Sequence, residues 1–301
     1  MRTFYLRQLG VRVVSGVVLL VLVLAAIWAR GPLLMAAVLA ATALAAYEFY
    51  SMARRAGYLP LKTLGITLAL LLALRGDILG NLFDEMLNSV PGVAVEVLVL
   101  VLVLNLVLAR QGIGWRRVPV TQPQAPQALR PAPRSPYLAW ADLGITLAGA
   151  IYTGGLLGYA PLLADLPSGN GTSWLLMVLL GTVACDTGAY FVGSLIGRYK
   201  LIPHISPGKT WEGLAGGALG AIIAAIALSG LLRLDITQAV FLGLLVCAAA
   251  VAGDLCESLL KRAAGVKDSS RLIPGHGGVL DRLDSILFVV LAVYWFAQVA
   301  A

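Results

Sequence analysis

HGGVLDRLDSILFVVLAVYWFA, residues 276–297, runs a histidine, two glycines and two aspartates straight into an unbroken apolar segment. An aspartate at the mouth of such a segment is expensive in a soluble core and expensive in a bilayer, so its surroundings decide what the chain is. The whole chain answers in the second sense. Of its 301 residues 59% are hydrophobic and 12% charged, and the mean hydropathy is +0.89. A water-soluble domain has too little polar surface at that composition. Several apolar runs reach the roughly 20 residues that cross a hydrocarbon layer of about 30 Å as helix. No ten-residue alternation suggests a barrel. The fold class expected is all-α, a polytopic integral membrane protein.

Nine spans are expected, at 13–29, 33–52, 63–79, 91–109, 142–160, 174–197, 212–232, 237–260 and 280–299. The third, around LKTLGITLALLLALRGDILG, has a short apolar part before Arg75 and reads equally as tilted, interfacial or re-entrant. Charge supports the count. With nine spans, 19 of the 22 basic residues fall on the side of the N-terminus, leaving Arg30, Arg75 and Arg233 for the other. That skew predicts a cytoplasmic N-terminus and an outward C-terminus. The net charge of +7 is then largely topology, and no nucleic-acid partner is expected.

Residues 1–110 read as N-terminal membrane helices, the first a retained span rather than a cleaved signal. Residues 111–137, rich in Pro, Gln and Ala, read as a flexible cytoplasmic linker, and 138–301 as the catalytic membrane domain. Cys185, Cys247 and Cys256 lie in apolar runs without a metal spacing and read as small buried residues.

The acidic residues inside spans cluster late. Asp186 lies mid-span; Asp254 with Glu257, and Asp281 with Asp284, are three apart and share helix faces. Two such helices side by side would gather four carboxylates. Carboxylates packed at low dielectric need protons or a cation, and an all-oxygen set favours Mg²⁺ or another hard ion over zinc. Asp254 and Asp281 are the first candidate ligands. Glu257, four residues before Lys261, reads as well as half of an ion pair. Glu48, in AAYEFYSMARR, stands alone and reads as an interfacial or helix-packing residue.

Between the two acidic helices, KRAAGVKDSSRLIPGHGG (261–278) carries Lys261, Arg262, Lys267 and Arg271 with four glycines. Its glycines would let backbone N–H groups approach phosphate oxygens while the cations neutralise charge. Chemically this is a polyphosphate site. GRYKLIPHISPGKTWEG (197–213) adds Arg198, Lys200, His204, Ser206, Lys209, Thr210 and Glu212. Its PGKT is not a P-loop: Pro203 occupies the first glycine position and no strand is expected before it. His204 and His276 suit orienting a phosphate or a loop as well as acid–base work.

Residues 258–285, SLLKRAAGVKDSSRLIPGHGGVLDRLDS, resemble the signature of the phosphatidate cytidylyltransferases, with its S-x-x-K-R start and H-G-G-x-x-D-R-x-D end. Upstream, CDTGAYFVGSLIGRYKLIPHISPGKTWEG (185–213) is similar to that family's second region, except that Gly208 stands where many members have lysine. The resemblance covers about residues 180–290 and hardly touches the first 140.

It implies that CTP and phosphatidate give CDP-diacylglycerol and pyrophosphate, with Mg²⁺, a second cation being left open, in a homodimeric integral membrane enzyme. Phosphatidate's phosphate is already ionised near neutral pH, so the barrier is repulsion between anions rather than deprotonation. Asp254 and Asp281 are then the expected metal ligands, with Asp284, Asp268 and Asp186 behind them. Lys261, Arg262, Lys267, Arg282 and Lys209 are expected on phosphates; Ser206, Thr210, His276, Gly277 and Gly278 would shape the pocket. The site would open to the cytoplasm and to lipid in a bacterial inner membrane. A CTP-dependent lipid kinase and a transporter of a phosphorylated solute remain the alternatives, the latter disfavoured because the charged motifs occupy one half only.

Overall fold

A computed structural model describes residues 2–74, 136–167 and 169–300. The chain is built from helices α1 (Arg2–Ala29), α2 (Gly31–Arg55), α3 (Lys62–Ala73), α4 (Pro136–Ala150), a π-helical turn (Ile151–Gly155), α5 (Tyr159–Ala164), α6 (Gly171–Ile196), α7 (Trp211–Leu232), α8 (Ile236–Ala263) and α9 (Leu280–Ala300). Among the described residues six helical segments are long and apolar enough to cross a membrane: Gly31–Arg55, Ala139–Ala164, Gly171–Ile196, Trp211–Leu232, Ile236–Ala263 and Leu280–Ala300. Large apolar side chains such as Trp28, Leu219, Ile223 and Phe241 stay on the outside, where a lipid environment accommodates them. The protein is an α-helical integral membrane protein.

These six correspond to the expected second and fifth to ninth spans. Val13–Ala29 and Lys62–Ala73 are shorter apolar helices. The third expected span ends early, α3 closing at Ala73 with Leu74 as its cap; the rest of it, the fourth span and nearly all of the expected linker lie outside the described residues.

One departure from the all-α expectation lies in 197–213. Lys200–Ile202 (β1) and Ser206–Thr210 (β2) form an antiparallel hairpin, pairing Lys200 with Thr210 and Ile202 with Ser206. Both strands are too short to show a period in sequence. The hairpin feeds α7 directly: Thr210 is its N-cap, its hydroxyl accepting from Gly213 N at 3.0 Å. Lys209 and Thr210 therefore sit in a strand and a cap, not in a phosphate loop.

Helix α9 is central, packing against α8, α6, α5 and α2, and Leu280, Leu287, Val289, Val290 and Val293 on it are buried. Small residues set the closest approaches. On α7, Gly213 and Gly217 face Gly193 and Cys185 of α6; on α8, a Cβ at Gly253 would come within 3.0 Å of Ser285 Cα on α9. The last contact draws the Asp254 end of α8 onto the Asp284 turn of α9.

One end of the bundle collects the loops. Leu59 N and Leu61 N, before α3, donate to Asp142 Oδ1 and Thr146 Oγ1 of α4 at 2.7 and 3.0 Å, so α3 and α4 start at the same end. The far end holds Arg30, whose guanidinium donates to Thr172 Oγ1 at the start of α6.

Candidate active site

Asp254, Glu257, Ser258 and Lys261 follow one another on α8 at helical spacing. Asp254 is half-buried and pairs with Lys209 Nζ of β2 at 2.7 Å; Ser258 Oγ donates to its other oxygen at 3.2 Å. Glu257 is fully buried. Lys261 Nζ lies 2.5 Å from Glu257 Oε2 and 2.9 Å from Asp281 Oδ1, an ammonium shared by carboxylates of two helices. The ion-pair reading of Glu257 thus holds, and its oxygens make no other well-formed hydrogen bond.

The four aspartates separate into two settings. Asp186 of α6, Asp254 of α8 and Asp284 of α9 lie within electrostatic reach of one another, with Lys209 acting on Asp186 and Lys261 on Asp284. Asp284 Oδ1 accepts only a local bond, from Ser285 N at 2.6 Å. Asp281, one turn earlier, is drawn to the loop instead. Its Oδ2 accepts from Ser269 N at 2.9 Å, Ser269 Oγ at 2.9 Å and Gly278 N at 2.8 Å, while Oδ1 faces Lys261. Of the four carboxylates expected together, Glu257 and Asp281 share Lys261 while Asp254 pairs with Lys209, so their convergence is partial. Among the described residues no group of three or more His, Cys, Asp or Glu side chains is gathered closely enough to hold a metal ion.

The basic loop also uses much of its chemistry on itself. Arg282 donates through Nε and Nη2 to His276 O at 3.1 and 2.8 Å. His276 Nδ1 is 2.8 Å from Ser15 Oγ of α1, which also donates to Pro274 O. Arg262 Nε reaches Ile205 O at 3.4 Å, joining the end of α8 to the hairpin. Ser206 is half-buried in β2, whereas Lys267, Asp268 and Arg271 are exposed. Gly277 has φ +85° and closes the turn begun at Ile273, whose N–H bonds Gly277 O at 2.8 Å.

The residue read from sequence as a lone interfacial or helix-packing group is Glu48. Far from isolated, it is buried against the loop, accepting from Ser269 Oγ at 3.0 Å, Ser270 Oγ at 2.6 Å, Val279 N at 3.1 Å and Leu280 N at 2.8 Å. A carboxylate inside an apolar span was itself the signal; its partners lie more than 220 positions away and have no trace in local sequence. Two N–H groups of the loop expected to face phosphate, Ser269 N and Gly278 N, therefore face Asp281, and the next two, Val279 N and Leu280 N, face Glu48.

Several comparisons bear on this arrangement. Over 127 residues the chain is 46% identical to a phosphatidate cytidylyltransferase of Haemophilus influenzae, covering 40% of this chain and 44% of that one. It is 40% identical over 157 residues to the Bacillus subtilis phosphatidate cytidylyltransferase, covering 51% and 58%. It is 41% identical over 154 residues to the uncharacterised protein YnbB of Escherichia coli, covering 50% and 52%. The chain thus spans about half the length of the curated relatives it matches. The model of the cytidylyltransferase family, by contrast, matches residues 10–300, including the hairpin, both acidic helices and the α2 that carries Glu48. On that extent of match, this chain belongs to the cytidylyltransferase family.

Proposed function

We propose that the protein is a phosphatidate cytidylyltransferase, joining CTP and phosphatidate to give CDP-diacylglycerol and pyrophosphate. The observation that carries the reading is the assembly, at one end of the bundle, of Asp254 with Lys209 and of Asp281 with Lys261, each pair drawing on a different one of the two signature segments. In the reaction a phosphatidate phosphate oxygen bonds the α-phosphorus of CTP and the bond from that phosphorus to the β-bridging oxygen breaks. The phosphate is already ionised, so the protein's task is to hold anions together in line. Lys209, half-buried beside Asp254, would meet the reacting phosphates. Lys261 would contribute from the Glu257 and Asp281 side, with exposed Arg262, Lys267 and Arg271 drawing in the triphosphate.

Asp186, Asp254 and Asp284 are hard oxygen donors within electrostatic reach of one another, though not gathered into a metal-holding group among the described residues, and Lys209 pairs with Asp254. Asp254, with Asp284 and Asp186, would hold Mg²⁺, which when bound screens phosphate charge. Asp281 has its oxygens occupied by three donors of the loop and by Lys261, so we assign it to fixing those groups more than to the ion. A second cation would find the same oxygen donors.

The basic skew of the loops supports a nine-span layout with the N-terminus and the site on the cytoplasmic side of a bacterial inner membrane, where CTP and the lipid phosphate meet. Common starting ends for α3 and α4 agree with that layout. A homodimer is proposed from the family resemblance. The test is product formation by detergent-purified protein given CTP, phosphatidic acid and Mg²⁺, beside Asp254→Asn. CDP-lipid and pyrophosphate in equal amounts from wild type, and loss in the folded variant, support the reading. No turnover by well-folded protein refutes it.

A further inference from the structure

Glu48 sits on α2, in the half of the chain that carries none of the signature residues, yet it touches the centre of the signature loop. Its four partners are all neutral donors: two serine hydroxyls and the N–H groups of Val279 and Leu280. Val279 N and Leu280 N open α9, where the first N–H groups of a helix have no acceptor within it and where negative charge is favoured. A carboxylate from another helix supplies the missing acceptor.

A second observation points to the same contact. A Cβ placed on Gly278 would run into Ser269 Oγ and both carboxylate oxygens of Glu48, Oε2 at 2.5 Å and Oε1 at 2.7 Å. The second glycine of the HGG motif therefore leaves room for a carboxylate of the chain itself. Ser269 Oγ, moreover, touches both Glu48 Oε2 at 3.0 Å and Asp281 Oδ2 at 2.9 Å. Its single hydrogen serves one at a time, which couples Glu48 to the aspartate that holds Lys261.

We infer that Glu48 is a positioning residue: an internal anion that fills the cradle at the start of α9 and latches the signature loop to α2. Phosphate is then handled by side chains of the loop and hairpin rather than by these backbone N–H groups. The kinetic part of this inference rests on the proposed cytidylyl transfer; the latch itself does not.

The experiment places a nitroxide on Leu272→Cys, an exposed loop position, in the full-length protein, where Cys185, Cys247 and Cys256 are buried. Glu48→Gln keeps the shape but sets an amide NH₂ against the donors. Its label becomes distinctly more mobile, and kcat/KM for CTP falls on the order of 100-fold with a raised KM for CTP. A merely structural loss would lower the active fraction and leave that KM unchanged. Ser270→Ala, which removes one of the four partners, gives the same changes in smaller degree and serves if Glu48→Gln does not fold. A label spectrum and CTP KM unchanged from the Leu272→Cys parent would overturn the latch. If the parent itself turns over no CTP, the proposed reaction fails while the label spectrum still decides the latch.

Discussion

Replacing Lys261 with methionine keeps the length of the side chain and removes the one cation between Glu257 and Asp281. The Glu257 side chain has no exposed surface, that of Asp281 is 8% exposed and that of Lys261 16%, so water cannot take the place of the ammonium. Breaking a buried pair from one side costs about 3–5 kcal/mol, because the remaining charge is stranded. At roughly 2–4 °C per kcal/mol for a chain of this size, the unfolding midpoint falls on the order of 10 °C. Glu257→Gln combined with Lys261→Met removes the ammonium and the fully buried carboxylate, leaving Asp281 on its loop donors, and most of that loss returns. Turnover stays absent in both, since the ammonium is gone in both. The assay is thermal unfolding of detergent-purified protein followed by intrinsic fluorescence, with CDP-lipid formation measured alongside. A single variant that melts within about 2 °C of wild type, or a double variant that melts lower than the single, would refute the view of Lys261 as the charge that makes this buried site tenable.

Lys209→Gln separates stability from activity. Both it and Asp254 are part-exposed, so stability falls by on the order of 1 kcal/mol or less, while CDP-lipid formation falls about 100-fold or more. Gly253→Ala pushes a methyl into the α8–α9 crossing and costs about 1–3 kcal/mol by overpacking; denaturation in detergent reads the stability, and activity falls with it because Asp254 and Asp284 are moved apart. Gly277→Ala, at φ +85°, costs about 1–2 kcal/mol of local strain and shows as faster proteolysis within residues 265–279.

Much of the helical fold was legible because a bilayer imposes long apolar runs, and α2 and α6 to α9 match the runs read from sequence. The site was legible to the extent that residues share a helix face: Asp254, Glu257 and Lys261 lie along α8 as their spacing requires. Where geometry depends on distant partners the sequence was mute. Nothing near residue 48 announces Ser269 and Ser270. The direction of the loop N–H groups was likewise hidden: glycines in a basic loop fit phosphate approach as well as they fit an internal carboxylate, and only the position of Glu48 decides between them. Asp281 and Asp284 have the same spacing and chemistry, but a turn of helix puts one against the loop and the other against Asp254. The hairpin 200–210 escaped because three- and five-residue strands carry no period.

The central claim, that this site transfers a cytidylyl group to a lipid phosphate, is tested most directly by following which phosphorus of CTP enters the lipid. Purified protein is given phosphatidic acid and Mg²⁺ with CTP labelled at the α-phosphorus in one reaction and at the γ-phosphorus in another. The account predicts that the α label moves into the lipid product while the γ label leaves as pyrophosphate. A γ label in the lipid, with CDP released, would contradict it and assign the site to phosphoryl transfer instead.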